Sequence, residues 1–216
     1  MQDSESVNVW DVVVRGFHWA LVFFFCLSYF TGEEETIIHP WSGYAVIALL
    51  MIRIGWGFLG SRHARFSDFI YAPAEIRAYA KGLATGRAKH YLGHNPLGGL
   101  AVFALLGSLI MTTFTGMLAY ADEEGKGPLA PVFTSQVELS VPGLIGTAYA
   151  DDDDDYSDHE NGKDEEHDES VFEEIHEFFV NLTLLLVLLH VLGVIVESLF
   201  HKENLVRSMF NGKKRQ

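Results

Sequence analysis

Residues 171–200 read VFEEIHEFFVNLTLLLVLLHVLGVIVESLF. About 20 consecutive, mostly apolar residues are enough to cross a bilayer as a helix, and this stretch meets that length. Two histidines, His176 and His190, interrupt it, 14 residues apart. At about 1.5 Å rise per residue they stand roughly 20 Å apart along the axis, and at 3.6 residues per turn within about 40° of each other. One helix therefore presents two imidazoles on one face, one near each side of a membrane. Ionisable groups at membrane depth are costly and mark function. The stretch predicts two metal centres stacked across a bilayer.

Three more apolar blocks precede it. Val12–Thr31 carries Arg15 and His18 near its start, Trp41–Leu59 begins just after His39-Pro40, and Leu97–Tyr120 follows GHNP at 93–96. Proline suits a first helical turn, where its missing N–H would be unpaired anyway. The chain carries a net charge of −14, yet 22 of its 29 acids lie within 33–35, 122–138 and 151–177. Apolar segments separated by charged connections predict an all-α fold, a bundle of four transmembrane helices over about 12–31, 41–59, 97–120 and 171–200. These form a single membrane domain over 1–210, with a loop at 121–170 and a basic tail at 201–216. The one cysteine, Cys26, excludes an intramolecular disulfide. Residues 1–9 are polar and acidic, so no cleavable signal peptide is expected.

Basic residues set the orientation. Of 15 Lys and Arg, 13 lie at or next to the segments 60–96 and 201–216 or at Arg15 and Arg53; only Lys126 and Lys163 do not. The positive-inside rule then places both termini and the second loop in the cytoplasm of a multi-pass protein of the bacterial inner membrane. The third loop is periplasmic and too long for a plain hairpin connection. Its first part, 125–150, has apolar residues that can pack on the outer face. Its second part, DDDDDYSDHENGKDEEHDE at 151–169, is a low-complexity acidic run. PAEIRAYAKGL at 73–83 puts Ile76, Tyr79, Ala80 and Leu83 on one helical face, and ENLVRSMF in the tail does the same with Leu205, Val206, Met209 and Phe210. Both read as short interfacial helices or as plain connectors.

Depth sorts the ten histidines. His18 and His190 lie toward the cytoplasmic side; His39 and His176 lie toward the outside. Two pairs result, His18 with His190 and His39 with His176. Neutral imidazole is a good iron ligand, and two of them make a six-coordinate haem suited to electron transfer. Without a CxxCH motif, any haem is held without thioether bonds. His94 competes as a ligand of the inner site, or else bonds a haem propionate or a quinone, or caps its helix. His63, His90 and His201 read as cytoplasmic surface side chains, solvated or beside lipid headgroups. His159 and His167 lie in the acidic run, where a solvated role competes with divalent-metal binding. Arg53 needs an anionic partner at its depth, and the propionates of an inner haem would supply one. Gly43, Gly116 and Gly193 leave room for flat macrocycles, although small residues also serve plain helix packing.

Together RGFHW (15–19), His39-x-x-x-Gly43 with Arg53, the 14-residue spacing of IHE and LHV in the last helix, and KENLVRSMF (202–210) resemble the bacterial cytochrome b561 family, which includes the b-type subunits of nickel–iron hydrogenases. The resemblance covers 10–120 and 171–210. It implies a four-helix cytochrome with two haem b groups, with His18, His39, His176 and His190 as axial ligands, exchanging electrons between a quinone and a partner. Two departures stand out: His39-Pro40 puts that ligand at the very edge of its helix, and the third loop is long and acidic.

The expected function is membrane electron transfer between the quinone pool and a periplasmic redox protein. A single-sign patch steers an oppositely charged protein, so the run 151–169 points to a basic c-type cytochrome. A solvated tether is the competing reading of that run. Two alternatives differ in class: an anchor and relay subunit of a periplasmic hydrogenase or dehydrogenase, and a haem-free transporter or scaffold. Membrane lipid is an expected partner and nucleic acid is not; a homodimer is compatible with this reading.

Overall fold

The computed structural model describes residues 6–32, 36–133 and 170–215. The acidic run, Glu33–Glu35, His159 and His167 lie outside these residues. Four helices are long and apolar enough to span a membrane: α1 (Val12–Phe30), α2 (Ile38–Leu59), α4 (Pro96–Glu124) and α5 (Val171–Phe200). Two shorter helices are α3 (Pro73–Ala84) and α6 (Leu205–Asn211). Two three-residue strands, β1 (Ser6–Asn8) and β2 (Lys213–Arg215), pair antiparallel. Both chain ends therefore meet at one end of the bundle, here the terminal end; the opposite one is the loop end.

Local chemistry sets the helix ends. Asp11 caps α1, accepting from the Val14 N–H at 2.8 Å. Asn95 caps α4 by accepting from the Gly98 N–H at 2.7 Å, with Pro96 in the first turn. Ser170 caps α5, and Glu173 and Glu174 lie where the helix dipole favours negative charge. Helix α2 corrects the expected start at Trp41: it begins at Ile38, so His39 and Pro40 both lie in its first turn. Proline fits there because the first N–H groups of a helix have no intrahelical partner. The imidazole is therefore fixed by regular helix. Helix α4 also runs longer than expected, to Glu124, and ends at Gly125 in a left-handed conformation.

Helix α1 packs on α2 and α4 on α5, while α2 against α4 joins the two pairs. Val46, Leu50, Leu106 and Leu109 form the centre, with Phe17, Leu21, Phe24 and Phe25 around them. Leu185, Leu188, Leu189 and Leu192 of α5 stay exposed. Lipid is as apolar as leucine, so an outward leucine face loses nothing in a bilayer. A second cluster, Val9, Trp10, Val14 and Ala64 with Trp56 and Met209, closes the terminal end. Asp11 organises it: its other carboxylate oxygen accepts from Trp56 Nε1 at 3.0 Å and Ser61 Oγ at 2.5 Å, joining α1 to the end of α2. Burial would raise its pKa, but these bonds outweigh it and hold the carboxyl below its ordinary range.

Helix α3 buries Tyr79, with Ile76 and Leu83 half-buried, while Ala80 of the expected face is exposed. The tail helix α6 forms as expected, capped by Asn204 and ended by Gly212. Gly212 has φ 80°, and a Cβ there would stand 2.6 Å from the Trp10 carbonyl oxygen, so both conformation and space demand glycine.

Candidate functional site: two groups of buried histidines

At the loop end, α2 and α5 bring His39 and His176 together. Their ring centroids lie 6.2 Å apart at an interplanar angle of 80°. His39 Nδ1 lies 2.9 Å from the Ser28 carbonyl oxygen and His176 Nδ1 lies 3.0 Å from that of Thr112. A carbonyl only accepts, so each Nδ1 carries the proton and donates. That tautomer leaves each Nε2 with a free lone pair, the arrangement of imidazoles that bind metal. Thr115 Oγ1, 3.3 Å from His176 Nδ1, adds a second contact. A cavity of about 570 Å³ adjoins the pair, lined among others by Ser28, Gly43, Tyr44, Thr112, Gly116 and Tyr120. A Cβ on Gly116 would stand 2.8 Å from His176 Cε1, so that glycine makes room for the ring.

Toward the terminal end, His18 of α1 and His190 of α5 lie within Coulomb range of each other. His18 Nδ1 is buried without a hydrogen bond to protein. His94 joins this group. It lies between Trp10 and Phe69, with ring centroids 4.7 Å and 4.5 Å away, and within Coulomb range of Arg53 and His190. Burial, aided by the Arg53 and Lys214 cations, pushes its pKa down to about 3, so it is neutral at physiological pH. Its Nδ1 is also buried and without a partner in the protein. Arg53 is only 4% exposed; it donates one bond to the Ala64 carbonyl at 3.2 Å and lies over the Phe66 ring.

His90 is exposed as expected, whereas His63 and His201 are largely covered, and all three face carboxylates. His63 Nδ1 is 2.8 Å from Asp68, His90 Nε2 is 3.3 Å from Glu203, and His201 Nε2 is 3.4 Å from Glu197. A short helical turn supplies Asp68, α5 supplies Glu197 and the tail supplies Glu203.

Two groups of polar residues escaped the sequence reading. Thr183 is fully buried, with its hydroxyl 2.5 Å from Ser108 Oγ and 2.9 Å from Thr112 Oγ1. Glu197 is buried and accepts from the Tyr79 hydroxyl at 2.7 Å. A signal existed. His176, Thr183, His190 and Glu197 follow one another at seven-residue steps, two helical turns each, and so form one polar stripe along an apolar helix.

Four membrane-length helices enclosing grouped, hydrogen-bonded imidazoles define a class, the polytopic helical membrane protein with metal-competent histidines in its interior. A sequence profile described as prokaryotic cytochrome b561 matches residues 9–212. The chain belongs to that family, whose members are b-type cytochromes of membrane electron transfer. The "Probable Ni/Fe-hydrogenase B-type cytochrome subunit" of Azotobacter chroococcum is 28% identical over 161 residues, covering 60% of this chain and 66% of its own length. The protein of the same name from Rhizobium leguminosarum is 22% identical over 244 aligned positions, covering 98% and 90%. The "Probable Ni/Fe-hydrogenase 1 B-type cytochrome subunit" of Escherichia coli K12 is 24% identical over 164 residues, covering 60% and 68%. No solved structure matches the chain.

A b-type cytochrome holds haem b, and the loop-end site fits it in donor chemistry. Two imidazoles present Nε2 lone pairs beside a cavity, and the position nearest one ring is glycine.

Proposed function

We propose that this protein carries two haem b groups, one held by His39 and His176 and one by His18 and His190, and passes electrons across the membrane. The observation that carries this reading is the loop-end pair, whose Nδ1 protons are both tied to backbone carbonyls. Among the described residues no three or more His, Cys, Asp or Glu side chains gather into a metal cluster. Two protein ligands at a time suit a macrocycle that brings the other four. When bound, haem b would supply reversible one-electron chemistry, with His39 and His176 or His18 and His190 as the residues that would hold it. The chain's own residues do the remaining work. Ser28 and Thr112 fix the tautomers, Gly116 clears space at His176, and Arg53 and His94 offer a cation and a neutral imidazole to propionates or a quinone at the inner site.

The concentration of basic residues at the terminal end supports an orientation with that end in the cytoplasm and the loop end outside. Electrons then pass between an outer partner and quinone. The relatives' names favour a nickel–iron hydrogenase as that partner, with this chain as its membrane relay. The acidic run 151–169 also suits a basic c-type cytochrome. Deleting 151–169 tells the two apart. A c-type partner predicts slower reduction at low salt and no loss at high salt, whereas a hydrogenase that co-purifies unchanged from the deletion variant rules out docking through the run.

A pyridine haemochrome assay on the purified chain tests the central reading. About two haems per chain are expected, and His190→Ala should lose one of them. Zero haem would leave a transporter or scaffold. Loss on His94→Ala but not on His190→Ala would reassign the inner ligand.

A further inference from the structure

Glu197 extends the polar stripe of α5 two turns beyond His190, about 10 Å further toward the terminal end. A buried carboxylate is costly unless it is paired. Tyr79 of α3 supplies the pairing bond at 2.7 Å. A tie between α3 and α5 would need nothing more, yet two histidines lead outward from it. His201 Nε2 stands 3.4 Å from Glu197 Oε1, and the His201 ring meets that of His90 edge-on at 5.0 Å between centroids. His90 Nε2 lies 3.3 Å from Glu203, itself 3.8 Å from Lys214 Nζ. The His90 side chain is 36% exposed and opens the group to water; the others are largely covered. Lys214 also donates to the Tyr91 carbonyl at 3.1 Å.

We propose that His90, His201 and Glu197 form a proton path from the cytoplasmic surface to a quinone reduced beside the inner histidines. The proposal rests on the quinone reading above. The balance is simple. A quinone that takes two electrons, delivered one at a time from the outer partner through the carrier, also takes two protons, and its two carbonyl oxygens become hydroxyls. Each proton leaves the Glu197 carboxyl and is replaced in turn from His201, His90 and water. An imidazole can take a proton at one ring nitrogen and release one from the other, which suits relay. Every element packed here supplies a charged or titratable group: Tyr79 from α3, His90 and Tyr91 from the connection to α4, Glu197 and His201 from the end of α5, Glu203 and Lys214 from the tail. Burial and the bond to Glu197 push the Tyr79 pKa up, so its hydroxyl stays a donor and holds the carboxylate in place. Burial lowers that of Lys214, and Glu203 works against the fall.

The test uses the full-length, haem-loaded protein in lipid nanodiscs, chemically reduced and then mixed with a short-chain quinone or with ferricyanide, which takes electrons but no protons. Glu197→Gln keeps size and can still bond Tyr79. It should slow reoxidation by quinone roughly tenfold or more, increasingly as pH rises, and leave ferricyanide oxidation, haem content and melting temperature unchanged. His90→Gln, at the exposed mouth, should slow the quinone step several-fold, and added imidazole should restore it. A wild-type quinone rate in both variants overturns the path while the quinone reading stands. A wild type that ferricyanide oxidises and quinone does not overturns both.

Discussion

Gly116 sits where α4 passes the ring of His176. A methyl group there would stand 2.8 Å from Cε1, well inside van der Waals contact, and 3.1 Å from Nδ1. The ring would have to move, and with it the 3.0 Å bond that fixes its tautomer. Gly116→Ala is expected to lose about half the bound haem or to shift the spectrum of one haem, read by haemochrome assay and absorption. From sequence alone Gly43, Gly116 and Gly193 looked alike, because a glycine declares room without saying what uses it. The pairing of His39 with His176 was legible, since helix direction and position fix depth. His94 was legible only as a competitor, because its place between Trp10 and Phe69 comes from segments distant in sequence.

Helix α5 carries its function as a stripe. His176, Thr183, His190 and Glu197 recur every seven residues, and an α-helix drifts only about 20° per such step. Thr183 is the midpoint and is wholly buried against α4. Its hydroxyl bonds Thr112, whose own carbonyl holds His176. The clamp between α4 and α5 and the orientation of the His176 ring are thus one arrangement. Thr183→Val keeps the shape and removes the hydroxyl. Interhelical hydrogen bonds in membranes average about 0.6 kcal/mol and reach about 1.7. A loss of about 1 kcal/mol is expected, measured by denaturant unfolding in detergent, with haem content retained. A threonine in an apolar run advertises nothing, because its partners lie on another helix. The reverse holds at the start of α2. A proline near a helix end suggested a boundary after it, but a first turn tolerates proline, and the helix begins two residues before Pro40.

Over the whole molecule, charge and connectivity agree. The pairing of β1 with β2 puts both termini at one end, as an even number of spans requires. Basic residues concentrate at that end, so a fluorescent protein fused to the C-terminus should fold and emit from the cytoplasm. An alkaline phosphatase fused after Gly127 should be active only in the periplasm. The opposite pattern would invert the orientation and move the proposed proton path to the outer face. The spans were legible because hydropathy carries them directly. The closure of the terminal end was not, because three-residue strands carry no periodic signal.

That closure orders events in time. Residues 213–215, which pair with residues 6–8, are the last described part of the chain to be synthesised. At roughly 5–20 residues per second, about 10 to 40 seconds separate the two strands on the ribosome. Through that interval Trp10 lacks the backbone partner at Gly212 that it later binds. The terminal end, where Trp10 packs against His94, therefore takes its described form only after residues 212–215 have been made.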